Sequence, residues 1–492
     1  MYLLGYDIGS SSIKAALVSI ETGEKVAVVQ SPAKEMDILA PKTGWAEQAP
    51  ETWWNNVCLA TKELLNKTDV KPAEIKGIGI AYQMHGLVLV DKNQQVLRPS
   101  IIWCDSRAVD IGNQAFTEIG EEKCLSNLLN SPGNFTASKL KWVQNEEPRV
   151  YEKIHKFMLP GEYIAMKFTG EILTTPAGLS EGIFWDFNKN EVAGFLLDYF
   201  GFSREMIPDI VSTFSLQGRL TKQAAEEAGL AEGIPVAYRA GDQPNNALSL
   251  NVLNPGEVAA TGGTSGVVYG VVDRPYFDPQ SRVNGFVHVN HEALNPRFGI
   301  LLCINGAGIQ YSWVRQQLTS GMAYTDMEIQ AASVPPGSEG LRILPFGNGA
   351  ERMLGNKEPG STINNLHFTR HTHAHVYRAT LEGIAFSFVY GMGILNEMGL
   401  NAQIIRVGND NLFQSAVFSN TIANLIGSKI EVLETTGAVG AAKAAGVATG
   451  FWSSIEEAVK GGKVLLTYEP TNANGVYREA YQAWTNDLKN VL

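Results

Sequence analysis

The sequence predicts an α/β protein of two related domains. Three observations carry that expectation. The chain has 492 residues, more than one core usually organises, since domains of roughly 100–250 residues are the rule. A strand–glycine turn–strand unit occurs near residue 7 and again near residue 260, a weak internal repeat that suggests two α/β domains facing one cleft. Glycine is abundant, at 49 residues, as tight turns and close backbone approaches require.

The elements follow in order. Residues 2–7 read as a strand, Gly9-Ser10-Ser11-Ser12 as a tight turn and residues 13–19 as a second strand; Glu21-Thr22-Gly23-Glu24 then turns the chain into a third strand over 25–30. Pro50 beside Glu51 opens a helix. Residues 75–81 form a buried strand, and 87–90 are expected to continue its sheet. Helical patterns dominate from about 108 to 230. Residues 258–260 begin the second strand–turn–strand unit, around Thr261-Gly262-Gly263-Thr264-Ser265-Gly266. The boundary is expected between 243 and 255, which contains the turn Asn254-Pro255-Gly256, giving domains 1–246 and 247–492. Beyond it come an apolar stretch over 299–304, a helix starting near Gly306, a long helix over about 376–398, a strand over 404–407, and a glycine motif at 436–442 that opens a helix.

Bulk properties exclude several functions. The net charge is −11 with no long basic run, so neither nucleic acid nor an anionic membrane is an expected partner. Cys58, Cys104, Cys124 and Cys303 lack metal-ligand spacing and read as thiols of a reducing compartment. The first residues have no basic or long apolar leader, and no apolar stretch nears the roughly 18–20 residues a membrane span needs. A soluble cytoplasmic protein is expected.

The most informative residue is Asp242, in Tyr238-Arg239-Ala240-Gly241-Asp242-Gln243-Pro244. A carboxylate near a glycine-rich loop suits phosphoryl transfer to an alcohol, which needs a group to take the hydroxyl proton and donors for the transferring phosphoryl. The turn at Ser10, Ser11 and Ser12, with Lys14 after it, can hold phosphate oxygens through backbone N–H groups and hydroxyls. Asp7, at the strand end, is placed to bind Mg²⁺ through water. An ordinary hairpin with a turn aspartate would read the same, and the loop at Gly263, Thr264 and Ser265 taken alone could be a plain β-turn. The glycine spacing fits neither a Walker A loop nor a dinucleotide fingerprint.

Together these segments resemble the FGGY family of carbohydrate kinases, within the actin-like ATPase superfamily. The resemblance runs through Asp7-Ile8-Gly9-Ser10-Ser11, Gly241-Asp242, Gly263-Thr264-Ser265-Gly266, residues 378–386 and 437–442. It implies two actin-like, ribonuclease H-like ATPase domains flanking a central cleft, with ATP and Mg²⁺ as cofactors and Asp242 as the base. Ser10 to Ser12 and Thr264 would contact ATP phosphates, and the domains would close on the sugar. Within the family, Gln83-Met84-His85-Gly86 and Trp103-Cys104-Asp105-Ser106-Arg107 are similar to the xylulose kinases, where the Met-His pair touches the ketose. The implied reaction converts D-xylulose to D-xylulose 5-phosphate. L-ribulose, L-xylulose, L-fuculose, gluconate or glycerol as acceptor, or an actin-like ATPase switch, are the alternatives. Met84 would give an apolar wall, His85 a hydrogen bond to a hydroxyl, Trp103 a flat face and Asp105 an acceptor; His85 could equally be a core histidine, and Asp105 with Arg107 a mutual ion pair. Asn134 aligns with a substrate-contacting position, and Gln243 follows the base. On the nucleoside side the resemblance points to Gly306 and Gln310, and to a turn at Gly408, Asn409 and Asp410 where the family carries glycines; Asp410 is offered to a ribose hydroxyl. It also admits a homodimer.

The run His371-Thr372-His373-Ala374-His375 looks like a metal cluster, but no cysteine or suitably spaced acid joins it, and surface or helix-entry histidines are expected. Trp53-Trp54 and Gly44-Trp45-Ala46-Glu47-Gln48 read as packing and loop anchoring.

Overall fold

The structure is a computed structural model that describes residues 1–409, 411–471 and 474–492. Asp410 therefore lies outside the described residues. The chain divides into two compact units. Unit 1 comprises Met1–Asn251, Gly285–Phe298 and Thr436–Gly461; unit 2 comprises Val252–Asn284, Gly299–Thr435 and Gly462–Leu492. The first break falls in the expected interval. The units are not the contiguous stretches 1–246 and 247–492, because two later segments belong with unit 1.

Unit 1 is built on strands β1 (Tyr2–Ile8), β2 (Ile13–Ser19), β3 (Lys25–Ser31), β4 (Ile75–Tyr82) and β5 (Val236–Gly241), in the order β5-β4-β1-β2-β3. The first three strands form an antiparallel meander, β4 is parallel to β1, and β5 is parallel to β4. Strand alternation sorts the faces of β1. Leu4, Tyr6 and Ile8 join the core that holds Trp53, Trp54 and Val57 of the helix Pro50–Thr68. Leu3 packs instead with Ala438, Val439 and Ala442 of the helix Gly437–Ala448. That second helix lies so close that a Cβ on Gly5 would sit 1.9 Å from the Ala438 carbonyl, and one on Gly79 1.9 Å from that of Ala441. This close approach returns the segment to unit 1. It depends on glycines hundreds of residues away from it in the chain, which no local pattern reveals.

Residues 88–90 correct the sequence reading. They form a strand, but it pairs with Lys156–Met158 in a separate two-stranded ribbon and does not extend the main sheet. The turn Met84-His85 after β4, with His85 at φ 63°, redirects the chain first.

Unit 2 repeats the plan with β6 (Glu257–Gly262), β7 (Gly266–Val272), β8 (Phe298–Ile304), β9 (Ile404–Gly408), β10 (Lys429–Leu433) and β11 (Val464–Tyr468), ordered β8-β7-β6-β9-β10-β11. β6 and β7 are an antiparallel hairpin, and β9 and β10 are parallel additions beside β6. An antiparallel hairpin with parallel strands beside it occurs once per unit, as the repeat suggested, and accords with the actin-like ATPase domains that the family resemblance implied. The long helix His373–Glu397 backs unit 2, and Phe388 fills the space a Cβ on Gly266 would need.

Candidate active site

The carboxyl ends of β1, β4 and β5 lie side by side, with Ile8 opposite Tyr82 and Tyr82 opposite Gly241 in register. The residues that follow these strands therefore converge at one sheet edge, where ligands of open α/β sheets usually bind. Asp242 begins the helix Asp242–Ser249 there. Burial first, and then the neighbouring Asp7 charge, raise its carboxyl from the usual range to about 7, against the lowering by backbone N–H groups of Gln243 and of Asp242 itself. A carboxylate near neutrality suits a general base. Gly241 is required beside it, because a Cβ would meet Glu181 Oε2 at 2.4 Å and Met84 Cγ at 2.7 Å.

Asp7 lies on the face of β1 that carries Leu3 and Gly5. It meets the start of the helix Gly437–Ala448, where a Cβ on Gly437 would stand 2.7 Å from Asp7 Oδ2. Asn245 donates from Nδ2 to the Gly437 carbonyl at 2.8 Å, tying the helix of the base to the same point. Burial raises Asp7 too, and Lys14, its partner across the hairpin, offsets part of this. Among the described residues no group of three or more His, Cys, Asp or Glu could hold a metal ion. Two adjacent carboxylates with raised proton affinity would gain from a cation, and so small a donor set fits Mg²⁺ that keeps waters and phosphate ligands, not an all-protein cage.

The turn at Ser10, Ser11 and Ser12 is anchored by its neighbours. Gln48 donates to the Ser10 carbonyl at 2.6 Å, Met36 N to the Ser11 carbonyl at 2.8 Å, and Trp103 Nε1 to Ser10 Oγ at 3.3 Å. The Trp103 ring itself is 53% exposed, a flat face at the rim of the site. Trp53 in turn donates to Gln48 Oε1 at 3.0 Å, so the Trp53 and Gln48 segments do anchor this loop.

Asp105 differs from what the sequence suggested. Its carboxylate is fully buried and accepts from Ala46 N at 2.5 Å, Arg107 N and Nε at 2.9 Å and Arg107 Nη2 at 2.6 Å. Arg107 also donates to Glu47 at 2.6 Å and lies 3.8 Å over the Trp45 ring. The carboxylate offered to a sugar hydroxyl is thus the centre of an ion-paired knot that shapes the loop. Breaking such a buried pair costs about 3–5 kcal/mol. Asn134 joins the knot by donating from Nδ2 to the Asp105 carbonyl, while its Oδ1 is buried without a partner. Met84 is buried against Gly241, and His85 is half-buried. His85 Nδ1 bonds the Glu181 carbonyl at 2.8 Å, which in the neutral ring makes Nδ1 the donor and Nε2 the acceptor nitrogen.

Two buried ionisable groups escaped the sequence reading. Glu181, hydrogen-bonded to Tyr82, is held well above the usual carboxylate range by burial, with the Glu162 and Asp242 charges acting in the same sense. It is the one charged residue within 172–185, a signal visible in the chain. Lys139 occupies the stripe Thr136, Lys139, Leu140 and Val143 on the buried face of its helix.

Unit 2 holds a cavity of about 730 Å³, bounded by Gly263 and Thr264 at one end and by Tyr311, Tyr324, Leu412 and Gln414 elsewhere. Gly308 N and Ile309 N donate to the Gly263 and Thr264 carbonyls, both at 3.0 Å, so the β6–β7 turn rests on the start of the helix Gly308–Leu318. Thr264 and Ser265 are exposed at its tip. The nucleoside-side expectations shift. Gly306 is packing, since its Cβ position lies 1.8 Å from the Pro345 carbonyl and its N–H donates to Glu351 at 2.8 Å. Gln310 turns to Ser361 Oγ at 3.0 Å, and the Asn409 carbonyl accepts from Gln414 at 3.1 Å. Neither these residues nor Gly408 line the cavity; Gly308, Ser312, Glu328 and Ser415 do. The histidine run is a helix entry: Thr372 caps the helix, His373 is exposed, and the half-buried His371 and His375 rings lie tilted at 5.3 Å.

Residues 2–249 match the N-terminal domain, and residues 258–449 the C-terminal domain, of the FGGY family of carbohydrate kinases. The xylulose kinase of Escherichia coli K12 is 28% identical over 447 residues, covering 90% of this chain and 88% of that protein. The crystal structure of xylulose kinase from Rhodospirillum rubrum superposes with a TM-score of 0.89 at 26% identity, over 100% of this chain and 99% of that one. The crystal structure of gluconate kinase from Lactobacillus acidophilus also gives a TM-score of 0.89, at 22% identity over 100% and 98%, a likeness of fold alone.

Proposed function

Because the chain belongs to the FGGY family of carbohydrate kinases, phosphotransferases with an alcohol acceptor, we propose that it transfers the γ-phosphoryl of ATP to D-xylulose, giving D-xylulose 5-phosphate. The observation that carries the reading is the Asp242 carboxyl, poised near neutrality at the sheet edge of unit 1 with Met84 against the glycine that precedes it. The similarity to xylulose kinases along nine-tenths of the chain supports the choice of sugar.

In this reading the ketose binds against Met84, His85 and the exposed Trp103 ring, with Asn134 and Gln243 at its margin. Asp242 accepts the proton of the terminal hydroxyl as that oxygen attacks the γ-phosphorus in line. Asp105 acts only by holding its loop. Ser10, Ser11, Ser12 and Lys14 of unit 1, and Gly263, Thr264 and Ser265 of unit 2, supply donors to phosphate oxygens. Asp7 would hold Mg²⁺ through water, and the ion would neutralise charge on the phosphates. The 730 Å³ cavity of unit 2 suits the nucleoside, with Tyr311 and Tyr324 as apolar surface and Glu328 as a hydroxyl acceptor. Four free cysteines accord with a cytoplasmic location, and no helix among the described residues is long and apolar enough to cross a membrane.

The test is ADP release with ATP across pentuloses, aldoses, gluconate and glycerol. Preference for D-xylulose is expected. Preference for gluconate or glycerol would retain the chemistry and overturn the acceptor. ATP hydrolysis indifferent to every sugar would overturn both.

A further inference from the structure

Two segments far apart in sequence, 83–86 and 103–107, carry the sugar-pocket reading, and one short stretch ties both down. Asn134 donates to the Asp105 carbonyl. Phe135 meets the His85 ring edge-on at 4.7 Å. Lys139, one turn into the helix Thr136–Glu146, donates from Nζ to the His85 carbonyl at 2.9 Å. Lys139 is wholly buried, a costly position for an amine. Burial lowers it to about 7, against the opposing influence of Asp105 and Cys104 and with that of Arg107, the titratable groups that face it. His85 has a left-handed backbone at φ 63°, strained for a residue with a side chain and maintained only where the surroundings enforce it. The proposed chemistry makes no use of Lys139.

We infer that Lys139 is a positioning residue for the sugar: by closing on the His85 carbonyl it holds the left-handed turn that presents Met84 and His85, and its helix start fixes that turn against the 103–107 loop. The inference rests on the reading of Met84 and His85 as sugar contacts. Lys139 touches neither substrate nor the reacting atoms. Its loss should therefore appear as weakened sugar binding, with nucleotide binding unaffected.

Lys139→Met retains the length of the side chain and removes the donor. The sugar that the wild-type enzyme phosphorylates best is used for the assay. The expected result is a rise of about tenfold or more in the KM for that sugar, with the KM for ATP within about twofold and kcat changed less than KM. Sugar titrations followed by tryptophan fluorescence without nucleotide should weaken by the same factor. An unchanged sugar KM, or equal rises in the two KM values, would overturn the inference. If circular dichroism shows that Lys139→Met does not fold, Lys139→Gln, which shortens the side chain that reaches the His85 carbonyl, carries the test with the same split expected. A wild-type enzyme that responds to no sugar would remove the Met84–His85 reading and this inference with it. Normal sugar turnover with unselective variants would remove this inference alone.

Discussion

In unit 1 the β1–β2 turn is gripped largely by side chains: Gln48 holds one carbonyl and Trp103 a hydroxyl, with Met36 N on a second carbonyl. In unit 2 the β6–β7 turn rests on backbone, its two carbonyls taken by N–H groups of the following helix. The surroundings differ in the same sense. Unit 1 buries Asp7, Glu181 and Lys139 around its sheet edge and keeps Asp242 near neutrality. Unit 2 keeps an open cavity whose acid, Glu328, already accepts from Ser415 Oγ at 2.6 Å and Val417 N at 3.0 Å. In the proposed reaction one topology serves two ends. Proton chemistry requires desolvated charge, which tunes proton affinity; nucleotide binding requires volume and backbone donors.

The largest expected effect breaks unit 1 at its base. Asp242→Asn should lower kcat by about 10²–10⁴-fold, leave the sugar KM within a few-fold by order of magnitude, and leave the circular dichroism spectrum unchanged. An active variant would remove Asp242 from the mechanism. The same substitution should raise Tm above pH 7. The raised carboxyl binds its proton more tightly folded than unfolded, so between its ordinary range and about 7 stability falls as pH rises, and asparagine escapes that loss.

A second test separates the units through packing. Gly5→Ala drives a Cβ to within 1.9 Å of the Ala438 carbonyl, and overpacking of this kind costs about 1–3 kcal/mol or more. A lower Tm in thermal melts is expected, and an unchanged Tm would show that the helix Gly437–Ala448 is free to shift. Gly308→Ala, whose Cβ would stand 2.3 Å from the Gly263 carbonyl, should disturb unit 2 selectively. It should raise the KM for ATP more than that for the sugar, and the reverse split would contradict the division of labour.

The third test is the pH profile. Asp242 must be ionised to accept a proton, so kcat/KM should fall as pH drops through about 7. Asp7 raises the Asp242 carboxyl through its charge, so in the residual activity of Asp7→Asn the acid limb should move to lower pH. A limb that stays in place would mean that the two carboxylates do not interact. The smallest effect is expected from Glu328→Gln, a rise of a few-fold, in order of magnitude, in the KM for ATP at constant sugar KM.

Much of the fold was legible. The paired hairpins, the strands over 75–81 and 404–407, and the long helix before residue 398 follow from alternation, glycine turns and apolar periodicity, all of them local. The ribbon at 88–90 was not legible, because alternation specifies a strand and not its partner. In the site, the placement of Asp7 near the end of β1, and of the serine turn and Asp242 just after strands, could be read because strand ends are marked locally. Asp105 could not be assigned, because an acid two residues before an arginine serves equally as ligand or ion-pair partner, and only burial decides. On the nucleoside side the structure turns Gly306 against Pro345 and Gln310 to Ser361, while their neighbours Gly308, Ile309, Tyr311 and Ser312 line the cavity, a sorting that depends on packing and not on local sequence.

By itself the sequence determined the repeated α/β plan and the family, and it singled out Asp242 as the base proposed here, since each rests on short patterns whose meaning survives in any surrounding. The tertiary structure alone decided that Thr436–Gly461 belongs with the first unit, that Asp105 is consumed internally, and that Glu181 and Lys139 stand buried at the site. Those outcomes depend on which groups lose water together, and desolvation is a property of packed neighbours, not of adjacent residues.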